Sequence, residues 1–506
     1  MSKFREREIK LAVEDGRPMP SPQDLTGLSD IRVDDDRTVT LTAAYWDTTD
    51  LRLLRRGHTL RHRTASDGSE DTWTLKLAAP VHAGDGSSAD RDELSVPGEH
   101  MQPPAALSRL VLAYTRHEPL VPVATVVTER RILRLEQGDA LILEVADDRV
   151  TSTVDGEPGP SFRELEVELR DPQRAEVLDS VVERLKDIGA GSPDGVPKLK
   201  RVLERRLGDG EEDVEQRELG RASTIVDVAR AALASGTERL LRHDPDVRFG
   251  NDVESLHQAR VATRRLRSDL RTLGPVLRAD RIEGLRSELA WLGGLLGAVR
   301  DADVLADRLR ARGKDLPEAD RGGLAGLVEH VARQREDAQR VLVDVLGSGR
   351  YLDLVEDLVN ASKHPPLADG VDADRPARQL AEEVACQAWR RLAKWVRRLD
   401  QNPPDADLHE ARKRAKRARY AMELLHPMLG GHTKALASRL ADLQDALGEL
   451  QDAVVAEQWL RDHLERLSPH EAFVAGRLSS AEAVARTRAR HGWKKNWRSA
   501  KKRSPA

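Results

Sequence analysis

The chain has 506 residues and a formal net charge of −4, with 33% charged and only 3% aromatic residues. That length exceeds what one hydrophobic core usually organises and predicts two domains. The near-neutral balance excludes a whole-molecule polyanion binder, and the scarcity of rings disfavours a base-stacking surface, so any polyanion site has to be local. The single cysteine, Cys386, excludes an intramolecular disulfide, and Val384, Ala385 and Ala388 around it predict a buried thiol in a helix. There is no basic start followed by an apolar run and no stretch of about 18 apolar residues, so the expected protein is soluble and cytoplasmic.

In chain order, the pattern changes character near residue 208. Before it, short alternating runs at 6–10, 72–76, 140–144 and 162–168 are separated by Gly, Pro and Asp and predict strands. The acidic, glycine-punctuated run from Gly208 to Asp213 has nothing to bury and predicts a linker. After it, Ala, Leu, Arg and Glu recur near every 3.6 residues, as in 223–242, 253–273 and 432–464, and predict helices. The expected boundaries are a first domain at 1–206, a linker at 207–219 and a helical domain at 220–506.

Alternate residues of a strand share a face, so Glu6, Glu8 and Lys10 project together while Ile9 points away. The same period puts Glu164, Glu166 and Glu168 opposite Leu165, Val167 and Leu169. Other runs carry the reverse sign: Arg61 with Arg63, Lys76, and Arg91 beside Glu93. Any one such run could be a solvated strand face. All of them on strands of one barrel would line its interior with carboxylates on one wall and cations on another. Hard oxygen ligands of that kind hold Mg²⁺ or Mn²⁺, and a metal together with Arg and Lys neutralises a chain of phosphates.

The opening Glu6-x-Glu8-x-Lys10, followed by Tyr45 to Arg63, Trp73 to Leu77, Arg91, Thr128 to Leu135, Glu144 with Asp148, the Glu164 to Glu168 strand and Pro197-Lys198, resembles the CYTH family of triphosphate tunnel enzymes. The resemblance covers residues 1 to about 206 and implies a multidomain α+β chain whose N-terminal part is a closed, antiparallel, eight-stranded β tunnel. It implies phosphate contacts from Lys10, Arg61, Arg63, Lys76, Arg91, Arg130 and Lys198. It implies metal ligands or water contacts from Glu6, Glu8, Glu144, Asp148, Glu164, Glu166 and Glu168, with Glu6, Glu8 and Lys10 central to catalysis. The implied chemistry is hydrolysis of inorganic triphosphate, hydrolysis of thiamine triphosphate, or cyclisation of ATP.

The helical half contains an internal repeat. His257-x-x-Arg260-x-x-x-Arg264-x-x-Arg267 recurs 152 residues later as His409-x-x-Arg412-x-x-x-Lys416-x-x-Arg419. Each is followed by a second match, Leu296-Gly to Asp301 and Leu447-Gly to Asp452, which indicates a duplication. Offsets of 0, 3, 7 and 10 fall within an arc of about 80° on a helix, so each repeat sets a histidine and three cations on one stripe. Leu256, Val261, Leu266 and Leu270, and in the second copy Leu408, Ala411, Ala415 and Ala418, form the apolar stripe. Arg265, Arg271, Lys413, Arg414 and Arg417 add charge nearby. Cations this dense repel one another, a cost that a bound polyanion relieves. Asp301 and Asp452 are expected to be structural, orienting the basic residues or capping helices.

These residues resemble the conserved-histidine α-helical CHAD domain over about 215–506. The resemblance implies an all-α domain of two duplicated four-helix bundles whose stripes face a shared cavity, with His257, Arg260, Arg264, Arg267, His409, Arg412, Lys413, Lys416 and Arg419 binding inorganic polyphosphate. The expected function is a metal-dependent triphosphatase recruited to polyphosphate, in the cytoplasm and at polyphosphate granules. The alternatives are a non-catalytic granule-binding protein, a cyclase or a thiamine triphosphatase. Nucleic acid is not expected as a partner, for lack of stacking rings and groove-reading motifs. The C-terminal basic run from Trp493 to Arg503 is expected either to extend the basic surface or to form a solvated tail.

Overall fold

The computed structural model describes the chain apart from residues 1, 7, 15, 18–24, 26–31, 79–90, 99–100, 139, 192–195, 209–213, 215–216, 251 and 505–506. The side chains of 2–6, 34–36, 91–92 and 172 also fall outside the description, and with them the expected roles of Glu6 and Arg91. The chain divides into two units, Met1–Asp213 and Val214–Ala506.

Unit one is a single antiparallel sheet. Its strands are β1 (Ser2–Glu6), β2 (Glu8–Ala12), β3 (Arg32–Asp47), β4 (Thr59–Ala65), β5 (Asp71–Ala78), β6 (Arg91–Pro97), β7 (Val121–Gln137), β8 (Ala140–Val154), β9 (Glu157–Pro158) and β10 (Phe162–Leu169). They pair in the order β1-β6-β5-β4-β3-β7-β8-β10-β2, with β9 on β8. The first and last members of that order are two halves of one N-terminal segment, parted only by residue 7. Glu6 pairs with Arg91 on one side and Glu8 with Glu168 on the other, so the sheet curls until this segment joins its ends. Counted once, that segment makes eight strands around a tunnel.

Short helices α1 (Arg52–Arg55), α2 (Ala105–Ser108) and α3 (Leu112–Thr115) cover one end, and α4 (Ala175–Asp187), α5 (Lys198–Val202) and α6 (Glu204–Leu207) follow the last strand. The β3–β4 corner is held by the fully buried Asp47, which accepts from the backbone N–H groups of Thr48, Leu53 and Leu54 at 2.7, 2.9 and 2.9 Å. Here the apolar side of the sheet faces outward. Ile9, Leu133, Leu143, Val145, Leu165 and Val167 pack against Val177, Leu178, Val181 and Leu185 of α4, whose spacing presents one apolar stripe. With those positions fixed outside, period-two alternation forces Lys10, Glu164 and Glu166 to the inside.

Unit two, over its described residues, is helical: α7 (Ile225–Phe249), α8 (Val253–Thr272), α9 (Ala279–Arg312), α10 (Arg321–Leu346), α11 (Gly349–Lys363), α12 (Arg378–Val396), α13 (Asp405–Leu429), α14 (Gly431–Asp462) and α15 (Pro469–Lys501). Helices α8 and α13 begin 152 residues apart, as do α9 and α14, so the duplication extends beyond the motif to whole helices. α7 to α10 pack in sequence as one bundle and α12 to α15 as another; α11 lies on α7 and α9. The bundles meet where α8 touches α13, α9 touches α14 and α10 touches α15. The basic run at 493–501 is not a solvated tail: it completes α15, with Trp493 buried and Trp497 stacked on Trp389 at 5.3 Å. Cys386 lies in α12 as expected but is half-buried rather than buried, because it falls one position past the apolar stripe of Ala381, Ala385 and Trp389. Val261 is half-buried too, at the edge of its stripe.

Candidate functional sites

The tunnel encloses a cavity of about 460 Å³. Lys10, Arg61, Arg63, Lys76, Arg130 and Lys198 line it together with Glu8, Glu93, Glu166 and Glu168. Directly behind the lining sit Asp148 and Glu164, both fully buried.

One wall is built around a carboxylate triad. In register, Glu164 of β10 lies beside Asp148 of β8, which lies beside Arg130 of β7, while Glu166 lies beside Lys10 of β2. One oxygen from each of Asp148, Glu164 and Glu166 can be chosen so that all three lie within 4.8 Å of one another. Lys198, at the start of α5, puts its ammonium 2.8, 2.7 and 2.6 Å from the three side chains. Arg130 grips Asp148 through two hydrogen bonds of 2.7 and 2.6 Å and also reaches Glu166. Lys10 contacts Glu166 directly and lies 3.3 Å from Glu8.

Burial alone would push these carboxyls up. For Glu166 the opposing pull of Lys10, Lys198 and Arg130 wins, and its carboxyl is held well below the usual carboxylate range. Asp148 is likewise lowered, against its burial, by Lys198 and Arg130. Glu164 is the exception: burial, with Glu166 beside it, pushes its carboxyl up despite Lys198. Lys198 and Lys10 are raised, since the carboxylates outweigh the burial that would lower them.

The opposite wall is cationic. Lys76 lies 3.2 Å from Glu93, Arg63 donates to Glu70 at 2.6 Å, and Arg61 reaches the Tyr45 hydroxyl at 3.5 Å. Burial and the neighbouring Arg61 lower the Arg63 guanidinium. Tyr45, though buried, is held below its ordinary value by Arg61 and Lys198.

The expected metal ligands therefore divide. Asp148, Glu164 and Glu166 converge; Glu8 and Glu168 stand at the cavity surface; Glu144 is turned to Arg134 at 3.3 Å and Arg170 at 2.9 Å. Arg170 was not singled out by sequence, yet it lines the cavity and pairs with Glu168 at 2.7 Å. Carrying the alternation of 164, 166 and 168 one step further would have found it. As a donor set, three carboxylates within 4.8 Å fit a hard divalent ion, and Lys198 stands where such a cation would be attracted.

In unit two the stripes meet where α8 crosses α13. Arg260 and Arg264 of α8 and Arg412 and Arg419 of α13 surround Lys416. Burial and these four guanidinium groups push the Lys416 ammonium down to about 6. Arg260, Arg264, Arg267 and Arg412 each carry a buried Nε that has no hydrogen-bond acceptor among the described residues. His257 is lowered by burial and Arg300, and His409 by burial and Lys413, so neither adds a full charge at neutral pH. Lys413 itself is exposed, at the rim of the crossing. Arg267 faces Arg286 and Arg417 instead of the Lys416 cluster.

The second repeated motif acquires a steric meaning here. A Cβ at Gly297 would stand 3.6 Å from Arg260, and one at Gly448 would stand 3.2 Å from Arg412. At Gly448 the missing side chain lets Arg412 lie against the neighbouring helix, where it faces Asp452, whereas at Gly297 the distance is an ordinary contact and Asp301 accepts from Arg260 at 2.9 Å.

Residues 5–199 match the CYTH domain and residues 231–461 the CHAD domain. The uncharacterized proteins Rv2226 and MT2285 of Mycobacterium tuberculosis are both 31% identical over 488 residues, covering 91% of this chain and 88% of theirs. Among solved structures, PptA from Streptomyces chartreusis aligns at 24% identity and TM-score 0.46, over 55% of this chain and all of that one. The CHAD domain from the plant Ricinus communis aligns at 27% and 0.44, over 56% and 98%. A Hippeastrum protein, described as an adenylyl cyclase with a dominant triphosphatase activity, aligns at 18% and 0.26, over 40% and 98%. Unit one is thus a triphosphate tunnel metalloenzyme domain, of a metal-dependent class that works on phosphoanhydrides. The chain belongs to the proteins that join such a CYTH domain to a CHAD domain, the latter a polyphosphate-binding family.

Two outcomes follow from the two clusters. Lys198→Ala leaves Asp148, Glu164 and Glu166 facing one another without their central cation. In chelator, its first thermal transition should fall by on the order of 5 °C, and millimolar Mg²⁺ should restore more of the loss than it adds to wild type. Equal metal response in both would remove the triad as a cation site. Lys416, neutral above about 6 in the free protein, should gain a proton when a polyanion cancels the surrounding field. Calorimetry of polyphosphate binding at pH 8 in buffers of different ionisation enthalpy should register proton uptake that Lys416→Met abolishes. Uptake unchanged in that variant would place the proton elsewhere.

Proposed function

We propose that unit one is a divalent-metal-dependent triphosphatase acting on inorganic triphosphate, and that unit two binds inorganic polyphosphate and brings the enzyme to it in the cytoplasm, including at polyphosphate granules. The observation that carries the reading is the gathering, around one 460 Å³ cavity, of a carboxylate triad and seven cationic side chains. Anion capture alone needs the cations and gains nothing from buried acids. Asp148, Glu164 and Glu166, with Glu8 and Glu168 at the surface, would hold the ion; when bound it orients water and neutralises phosphate charge. Arg61, Arg63 and Lys76 hold the phosphate chain from one side, and Lys10, Arg130 and Lys198 spread the charge that develops as the anhydride bond breaks.

Inorganic triphosphate is favoured over ATP or thiamine triphosphate because the described lining offers one aromatic ring, Tyr45, whose hydroxyl is turned to Arg61. No second ring in that lining is available to stack on a base or thiazole, and Arg61, Arg63 and Arg170 are each turned to a polar partner. Phosphate release from the three substrates, each with Mg²⁺ and Mn²⁺, tests this. Wild type should prefer inorganic triphosphate, and Glu166→Gln should lose at least about a hundredfold in rate while remaining folded, a barrier increase of roughly 2.7 kcal/mol. Faster turnover of thiamine triphosphate, or a cyclic product from ATP, would replace the substrate assignment. An unaffected Glu166→Gln would remove the triad from the reaction.

A further inference from the structure

Two pockets flank the crossing of α8 and α13, of about 250 and 170 Å³. They are mates under the duplication. The 152-residue offset that relates the two bundles carries Ser235 to Gln387 and Arg265 to Arg417, and it relates Pro427 to Pro275, each pair lining its own pocket. The lining positions correspond, and the charge does not.

In the first pocket Arg265 donates to Glu423 at 2.5 Å and lies 3.5 Å from the buried Asp269, so its charge is balanced within the protein. In the second, the position of Asp269 is Ala421 and the position of Glu423 is Arg271. Arg417 therefore faces another arginine where its mate faces two acids. Arg391 and Arg414 add to the same lining. Arg414 is engaged by Glu410 at 2.9 Å, but Arg271, Arg391 and Arg417 form no ion pair among the described residues. The acid nearest in effect to Arg271, Glu283, is bonded to Arg286 at 2.6 Å. Burial, then Arg417, Arg286 and Arg267, push the Arg271 guanidinium down to about 10. Mutual repulsion of this kind costs stability unless an outside anion offsets it.

We propose that the pocket between α8, α12 and α13 is a second anion site, taking a phosphate group on Arg271, Arg391 and Arg417, and that its mate beside α7 is not one. Guanidinium forks at a small cavity suit the tetrahedral oxygens of phosphate better than a carboxylate. Arg267 of the stripe lies close enough to Arg271 and Arg417 of this pocket for their charges to repel, so a polyphosphate chain lying on the stripe can continue into it on one side of the crossing. A free phosphate has the same chemistry. In the first case the site rests on the polyphosphate reading above; in the second it stands without it.

The test uses the full chain and exchanges one pocket's charges for the other's. The double variant R271E/A421D installs the acid pair that already neutralises Arg265, an arrangement this fold accommodates, and R417A is a milder second variant. If a chain continues into the pocket, the slope of log affinity against log salt for long-chain polyphosphate should fall by about two in the double variant and by about one in R417A, with unchanged circular dichroism. If the ligand is free phosphate, calorimetry with inorganic phosphate should show binding to wild type that both variants lose. Wild-type polyphosphate binding with an unchanged slope in both variants, and no phosphate binding, would overturn this site alone. Absence of binding to either probe by wild type would overturn it together with the polyphosphate reading.

Discussion

The contact of Lys198 with Asp148, Glu164 and Glu166 is the interaction on which unit one's site depends. Three carboxylates cannot be kept ionised in a sparsely hydrated interior without a cation among them. Glu164 and Glu166 also cannot turn away, because Leu165 and Val167, their neighbours on β10, are committed to the core against α4. Period-two alternation thus converts an ordinary apolar core on the outside of the sheet into an obligatory charged interior. The opposing cations, Arg61, Arg63 and Lys76, follow from the same rule on β4 and β5.

Unit two reaches a comparable state with helices. Leu256, Leu266 and Leu270 bury one side of α8, and the 3.6-residue period leaves the histidine-led stripe on another. Duplication brings a second such stripe across it, so cations meet cations at Lys416. A single bundle would leave its stripe to solvent; two bundles crossing leave it partly desolvated, which is what makes an outside anion effective there. The duplication also supplies an internal comparison, since the Arg265 and Arg417 pockets are lined by corresponding positions and differ in charge.

Much of this was legible in the sequence, because both periods leave an unambiguous pattern: strands before residue 208, helices after it, and the inward faces of β2 and β10. The division of labour among the acids was not. Glu144 and Asp148 lie on the same face of β8, and only the cross-strand register, which sets Glu144 beside Arg134 and Asp148 beside Arg130, separates a tethered acid from a triad member. Lys413 and Lys416 both belong to the basic run of α13, yet Lys413 is exposed while Lys416 sits among the arginines of the crossing. The sequence left 493–501 open between a basic surface and a solvated tail, because the apolar contacts that exclude the tail, Trp497 on Trp389 among them, come from a helix about a hundred residues away. The role of Gly448 needed the distance to Arg412 on another helix.

The central claim is that each unit is left short of one external charge, a divalent ion with triphosphate in the tunnel and a polyanion at the helical crossing. Differential scanning calorimetry of the full chain tests it directly, since a ligand raises the transition of the unit that binds it. The expected result is two transitions, one raised by Mg²⁺ with triphosphate and the other by long-chain polyphosphate. Failure of either ligand to move any transition at concentrations far above millimolar binding, or movement of both transitions equally by salt alone, would contradict the account.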